Sequence, residues 1–188
     1  MEVMRANGVP AATLLQSGLM RDEVLRLTRS VDVELPEEAI ELYEAINGVS
    51  EQVPWDKRAL YQYFRLLPLE EAIQHYVENV PYLGADTGTV WFPLLVGESD
   101  YYFVDSSASQ EHRGQIIRYF VEDAPPAQVS YLSVKAMLQT FVECWESGAF
   151  SFVEGEFNAD TLLEQEISRK YNPGADAWVD GVDGMDDF

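Results

Sequence analysis

Between Leu35 and Gly48 apolar side chains return every three to four positions. Ala39, Ile40, Leu42, Tyr43 and Ile46 share one side of a helix, while Glu37, Glu41 and Glu44 line the other. Pro36 suits the first turn, where its missing N–H is no loss, and Glu37 and Glu38 face the positive end of the helix dipole. Asn47-Gly48 tolerates left-handed backbone, so the helix is expected to stop there. A second helical pattern over residues 11 to 30 uses Leu14, Leu15, Met20, Val24, Leu25 and Leu27, and Gly18 weakens its middle enough to allow two shorter helices.

Farther along, the period changes. Residues 49 to 60, with Pro54 and Trp55, read as a loop; Tyr61 to Leu67 alternates as a strand, and Leu69 to Val80 returns to helical spacing. After a turn region over Pro81 to Gly88, Thr89 to Val96 and Tyr101 to Asp105 predict antiparallel strands joined around Gly97-Glu98-Ser99-Asp100. Ser106 to Arg113 is a polar loop, and Gly114 to Val121 a further strand rich in Ile, Tyr and Phe. Pro125-Pro126 marks a loop before a helix from Val134 to Ser147, capped by Ser133 and closed by Gly148. A last helix is expected over 160 to 171, with Glu166 and Lys170 paired at i, i+4. Beyond Pro173 the chain carries Asp176, Asp180, Asp183, Asp186 and Asp187 without a base, and Trp178 and Phe188 are its candidate anchors. Helices, then strands, then helices predict a single α+β domain, an antiparallel sheet of about four to five strands flanked by helices. Residues 1–150 form the expected domain, with 151–188 adding a helix and an acidic tail.

Composition narrows the function. A 47% hydrophobic content over 188 residues supplies a real core. The formal charge of -21, from 33 acids against 12 bases, disfavours phosphate-mediated nucleic-acid binding and anionic membrane surfaces. It favours a basic protein partner, drawn in by the acidic field. The single cysteine, Cys144, rules out an intramolecular disulfide. No signal peptide or membrane-length apolar run is read, so the chain is expected to be soluble and cytoplasmic.

Catalytic constellations are weak. Glu71, His75 and Glu78 share a helical face but lack a second ligand pair or a recognised metal spacing. Asp100 and Asp105, five apart, would point to opposite faces of a strand that ran through both and so make a poor acid-base pair, unless the strand begins after Asp100. Cys144 reads as a buried structural thiol, and His112 has no serine or cysteine motif beside it. Without a phosphate loop or nucleophile elbow, no enzyme activity, cofactor or metal is expected. The acids are better read as a docking rim: Asp32 to Glu51 contains seven acids and no base. The partner-binding candidates are Glu37, Glu41, Glu44, Glu51, Asp100 and Asp105, with Trp55 as the aromatic anchor.

The order of parts resembles the SUKH superfamily. The resemblance rests on Leu35 to Gly48, on Leu67-Pro68-Leu69-Glu70-Glu71, on Gly97 to Asp105 with its Tyr101-Tyr102-Phe103 run, on Gly114 to Tyr119 and on the helix near Ser133 to Trp145. It covers about residues 20 to 148. The loop from Val49 to Leu60 lacks the glycine-rich run often seen there, and Ser151 to Phe188 lies outside the familiar core. The resemblance implies a binding fold with no catalytic residues to carry over. In its immunity branch that fold blocks a cognate toxin, often a nuclease; in its cell-wall-regulator branch it coordinates several protein partners. A toxin-neutralising immunity protein is the first expectation, a regulatory adaptor the second, and oligomeric state stays open.

Overall fold

The computed structural model describes residues 2–80, 89–123 and 127–179. The expected turn at 81–88, Pro125-Pro126, Phe188 and the aspartates from Asp180 onward lie outside them. Five helices come first: α1 Glu2–Ala6, α2 Ala11–Leu14, α3 Arg21–Arg29, α4 Glu37–Ala45 and the short α5 Trp55–Arg58. Then follow β1 Arg65–Leu66, α6 Leu69–Glu78, β2 Trp91–Val96, β3 Tyr101–Asp105, β4 Ile116–Tyr119, β5 Ala127–Tyr131 and α7 Val134–Ser147. The hairpin β6 Phe150–Val153 and β7 Glu156–Ala159 leads into α8 Thr161–Tyr171. The first five strands form one antiparallel sheet in the order β1-β2-β3-β4-β5, and β6-β7 forms a second, two-stranded sheet. The fold is α+β. Among the described residues, no helix is long and apolar enough to cross a membrane.

The break at Gly18 has a cause beyond weak propensity. The last carbonyls of a helix have no intrahelical donor, and residues 16 to 19 run along the end of α4 to supply donors and acceptors there. Leu19 N–H donates to Tyr43 O at 2.9 Å, Gln16 N–H to Gly48 O at 2.9 Å, and Asn47 N–H to Gln16 O at 3.1 Å. A Cβ on Gly18 would stand 1.9 Å from Glu44 O, so only glycine permits this crossing.

Asn47-Gly48 does more than stop a helix. The helix ends at Ala45, Ile46 is extended, and only Gly48 takes the left-handed conformation, with φ 66. Asn47 is buried, and its Oδ1 accepts from Leu69 N–H at 2.9 Å. That bond caps α6, whose preceding Pro68 has no side-chain oxygen to offer. Gly48 packs so closely on the following step that a Cβ would meet Leu66 O and Leu67 C at 2.5 Å.

One expected strand changes, and two elements that the sequence did not suggest are present. The strand expected over Tyr61 to Leu67 shrinks to β1, because Gln62 adopts φ 48 and Phe64 N–H turns back onto Tyr61 O at 2.7 Å. β5 was hidden because two of its buried side chains, Gln128 and Ser130, are polar and blur the alternation. The β6–β7 hairpin turns on Glu154 and Gly155, at φ 55 and 92, the two positive values that a type I′ turn requires.

Residue 150, the expected domain boundary, begins β6, and the extension packs into the core. Tyr61 lies with ring centroids 4.8 Å from Phe141, 5.3 Å from Phe150 and 5.9 Å from Phe157. Tyr61 Oη donates to Glu164 Oε1 at 2.6 Å, and Glu164 is only 5% exposed. The expected Glu166–Lys170 pair is replaced: Lys170 Nζ donates across to Glu143 on α7 at 2.6 and 2.8 Å. Trp178, one of the two candidate anchors, docks by donating its Nε1–H to Ser130 O of β5 and packing against Tyr131.

Two outcomes follow. Asn47→Ala leaves the buried Leu69 N–H without its acceptor and should cost about 1–3 kcal/mol, read from urea unfolding; a loss near zero would show that Asn47 is not the cap. Burial raises the carboxyl pKa of Glu164 above its ordinary value, with the Tyr61 bond opposing in part. Its stabilising contribution is therefore complete below about pH 4 and is lost as pH rises through the raised pKa. Thermal unfolding of Glu164→Gln should gain on wild type with rising pH and then level off, whereas a constant difference would show an unshifted carboxyl.

Candidate functional site

The glutamates on α4 do not form one free stripe. Arg21 on α3 donates from Nη2 to Glu37 Oε2 at 2.6 Å and from Nη1 to Glu44 Oε2 at 3.2 Å. Its hydrogen bond holds the Glu37 carboxyl below the usual range. All three side chains stay substantially in solvent, so these pairs orient charge more than they stabilise. Glu38 turns the other way, and its Oε2 accepts from Lys135 N–H at 2.8 Å. With Ser133 Oγ accepting from Ala136 N–H at 3.1 Å, it places a carboxylate on the positive end of α7.

Between α4 and α7 lies a groove of about 700 Å³. Leu42, Ala45, Val134, Leu138 and Val142 supply its apolar surface. Val134, Leu138 and Val142 follow at i, i+4 and i+8, a stripe beside the core-facing Met137, Cys144 and Trp145. Val134 is buried, but Leu138 and Val142 remain 40% and 39% exposed. Glu37, Glu38 and Glu41 border the α4 side, Glu143 and Glu146 the α7 side, and Lys135 is the one base lining it among the described residues. Glu143 is held below the usual carboxylate range by the Lys170 ammonium and the Tyr171 hydroxyl. Glu41 and Glu146 form no ion pair among the described residues.

The other sequence candidates lie on different elements. Glu51 is exposed; its N–H donates to Glu71 Oε1 at 3.3 Å and its carbonyl accepts from Arg58. Trp55 opens α5, with its side chain outside what is described. Asp100 sits in the β2–β3 turn, accepting from Tyr63 Oη at 2.8 Å and from Val121 N–H at 3.0 Å. Asp105 is buried at 5% exposure, and its Oδ1 accepts from Ser107 N–H at 2.8 Å, which spends it on a local turn rather than on a rim. Of the candidates whose side chains are described, Glu37 and Glu41 border the groove.

Of the Glu71, His75, Glu78 face, the first two are engaged internally, while Glu78 stays exposed. Glu71 accepts from Arg65 at 2.7 Å, and His75 Nδ1 lies 3.0 Å from Tyr101 Oη, with burial lowering the imidazole pKa. Among the described residues no three of His, Cys, Asp and Glu are grouped to hold a metal ion.

A family model for SMI1/KNR4 (SUKH-1) matches residues 18–140 of the chain. The chain belongs to this family. No curated protein matches it. In this SUKH-1 chain the matched span contains α3 to α6, the five-stranded sheet and the first half of α7. It holds all of the α4 wall of the groove, while Val142, Glu143, Glu146 and Tyr171 fall beyond it. The groove is therefore built by the matched span, the second half of α7 and Tyr171 of the extension. The 134-138-142 spacing was visible in the sequence, but its partner wall on α4 was not.

Cys144 faces inward from α7, fully buried, and burial pushes its thiol up to about 12. Iodoacetamide at pH 8 should leave it unmodified in the folded protein and alkylate it after denaturation; rapid native labelling would contradict the burial.

Proposed function

We propose that this SUKH-1 chain is a non-enzymatic, cytoplasmic protein-binding domain that neutralises a basic toxin domain of the nuclease type. Family membership supports a binding role in immunity or regulation. The observation that carries the finer reading is the acid-bordered groove between α4 and α7, with Leu138 and Val142 left open to solvent. Exposed apolar side chains at the centre of a polar border are the arrangement of an interface, where the centre holds and the border steers.

The mechanism is occlusion. A nuclease presents a cationic groove to its substrate, and a surface that answers that charge competes with the nucleic acid. The charge of -21 accelerates encounter, and the groove would supply the contact that slows release. No bond is made or broken, and no cofactor or metal takes part.

The test is capture from the native host, or challenge with a competitor's toxin domain, at low salt. One dominant basic protein held near one-to-one and released by salt supports neutralisation; several weaker partners would point instead to a regulatory adaptor. Glu41→Lys is the variant of choice, because reversing Glu37 or Glu44 would also break the Arg21 ties. It should slow association severalfold and flatten its salt dependence while changing dissociation less. Unchanged association kinetics would remove the α4 face from the interface.

A further inference from the structure

The groove's own chemistry points to what it takes. We propose that it is a seat for an amphipathic α-helix of the partner, one whose apolar stripe is flanked on both sides by Lys or Arg. The inference rests on the protein-binding reading above and names the element of the partner that docks.

The walls argue for a helix. The residues lining the groove come from α4, α7 and α8. Interior turns of helices spend their backbone donors and acceptors on themselves, so these walls offer side chains and little main chain. An extended peptide draws its affinity from main-chain hydrogen bonds to a sheet edge, whereas a helix needs only complementary side-chain ridges. Leu138 and Val142 lie one turn apart, about 6 Å along the axis, which is the repeat of i, i+4 anchors on an incoming helix.

The charges say which helix. Carboxylates stand on both sides of the apolar strip: Glu41 from α4 and Glu146 from α7 form no ion pair among the described residues, while Glu38 holds Lys135 N–H and Glu143 holds Lys170. An occupant with bases on one flank only would leave either Glu41 or Glu146 without a charge to answer it. The same field rejects the two other occupants at hand. A second copy of this chain brings its own charge of -21. The chain's own terminal segment carries Asp180, Asp183, Asp186 and Asp187 with no base.

The probe is a fluorescein-labelled 18-residue Leu/Lys peptide with leucines at i, i+4, i+7 and i+11, set against a peptide of the same composition with the pattern scrambled. Binding is read by fluorescence anisotropy at two salt concentrations, on wild type, on Leu138→Asn with Val142→Asn, and on Glu41→Lys with Glu146→Lys. Both pairs change exposed positions, and circular dichroism verifies that each variant is folded. The patterned peptide should bind at least about tenfold tighter than the scrambled one, and each double variant should lose about tenfold. Equal binding of the two peptides, or indifference to Leu138→Asn with Val142→Asn, would overturn the helix seat. So would a concentration-dependent dimer that those substitutions abolish, since the occupant would then be a second copy. Failure here is separable from failure of toxin neutralisation. A captured basic partner indifferent to Leu138 and Val142 removes the seat and leaves the binding role, while a seat that takes the patterned peptide in a chain that protects against no toxin does the reverse.

Discussion

A single close approach organises this molecule: Gly48 against the backbone of Leu66 and Leu67, with Asn47 reaching across to cap α6. The contact requires a residue without a Cβ, held at positive φ, and a short side chain whose oxygen points back at Leu69. Those demands are met by neighbouring residues at the end of α4. Through them the end of α4, the crossing segment at residues 16 to 19 and the step from β1 into α6 share one hydrogen-bonded node. The direction in which α4 leaves that node fixes the wall it offers to α7. The geometry of the groove thus depends on a contact formed at its far end, by residues that never face solvent together.

The extension beyond residue 150 is tied in by different physics. Aromatic rings carry the connection, with Tyr61 at the centre contacting Phe141, Phe150 and Phe157. Offset and edge-on packing of such rings supplies burial with geometric preference. The hydroxyl of Tyr61 then fixes Glu164, so a loop residue of the family domain and a helix of the extension are joined in the interior. Lys170 and Tyr171 repeat the join at the surface through Glu143. Four of the residues lining the groove, Val142, Glu143, Glu146 and Tyr171, lie outside the matched span, and the extension holds Glu143 through Lys170 and Tyr171.

How much of this was legible in the chain depended on range. The helix from Pro36 onward, the paired strands on either side of Gly97 to Asp100 and the Ser133-capped, Gly148-closed helix each carry local signals, and all three are present. The acidic side of α4 was readable from helical spacing alone. Its division was not, since Arg21 lies 16 residues from Glu37 and 23 from Glu44 and nothing in the spacing couples them. Asp105 looked like surface because it is charged and borders a polar loop, yet the turn at Ser107 buries it. Leu138 posed the converse problem: on the helix wheel it resembles its buried neighbour Val134, and only the placement of α4 leaves it open. Strand β5 was missed because Gln128 answers Arg118 inside the sheet, a polar pair that period-two reasoning places outside.

Trp178 bears on the edge of the sheet. Strand β5 is the last of its sheet, and a terminal strand ordinarily offers its free backbone groups to any passing chain. Here the indole takes one of those carbonyls and its ring covers the neighbouring Tyr131. A strand whose outer carbonyl is taken by a tryptophan from the same chain is, at that point, a poorer template for an added strand. The short terminal turn thus covers part of one edge of a sheet rich in tyrosine, phenylalanine and isoleucine.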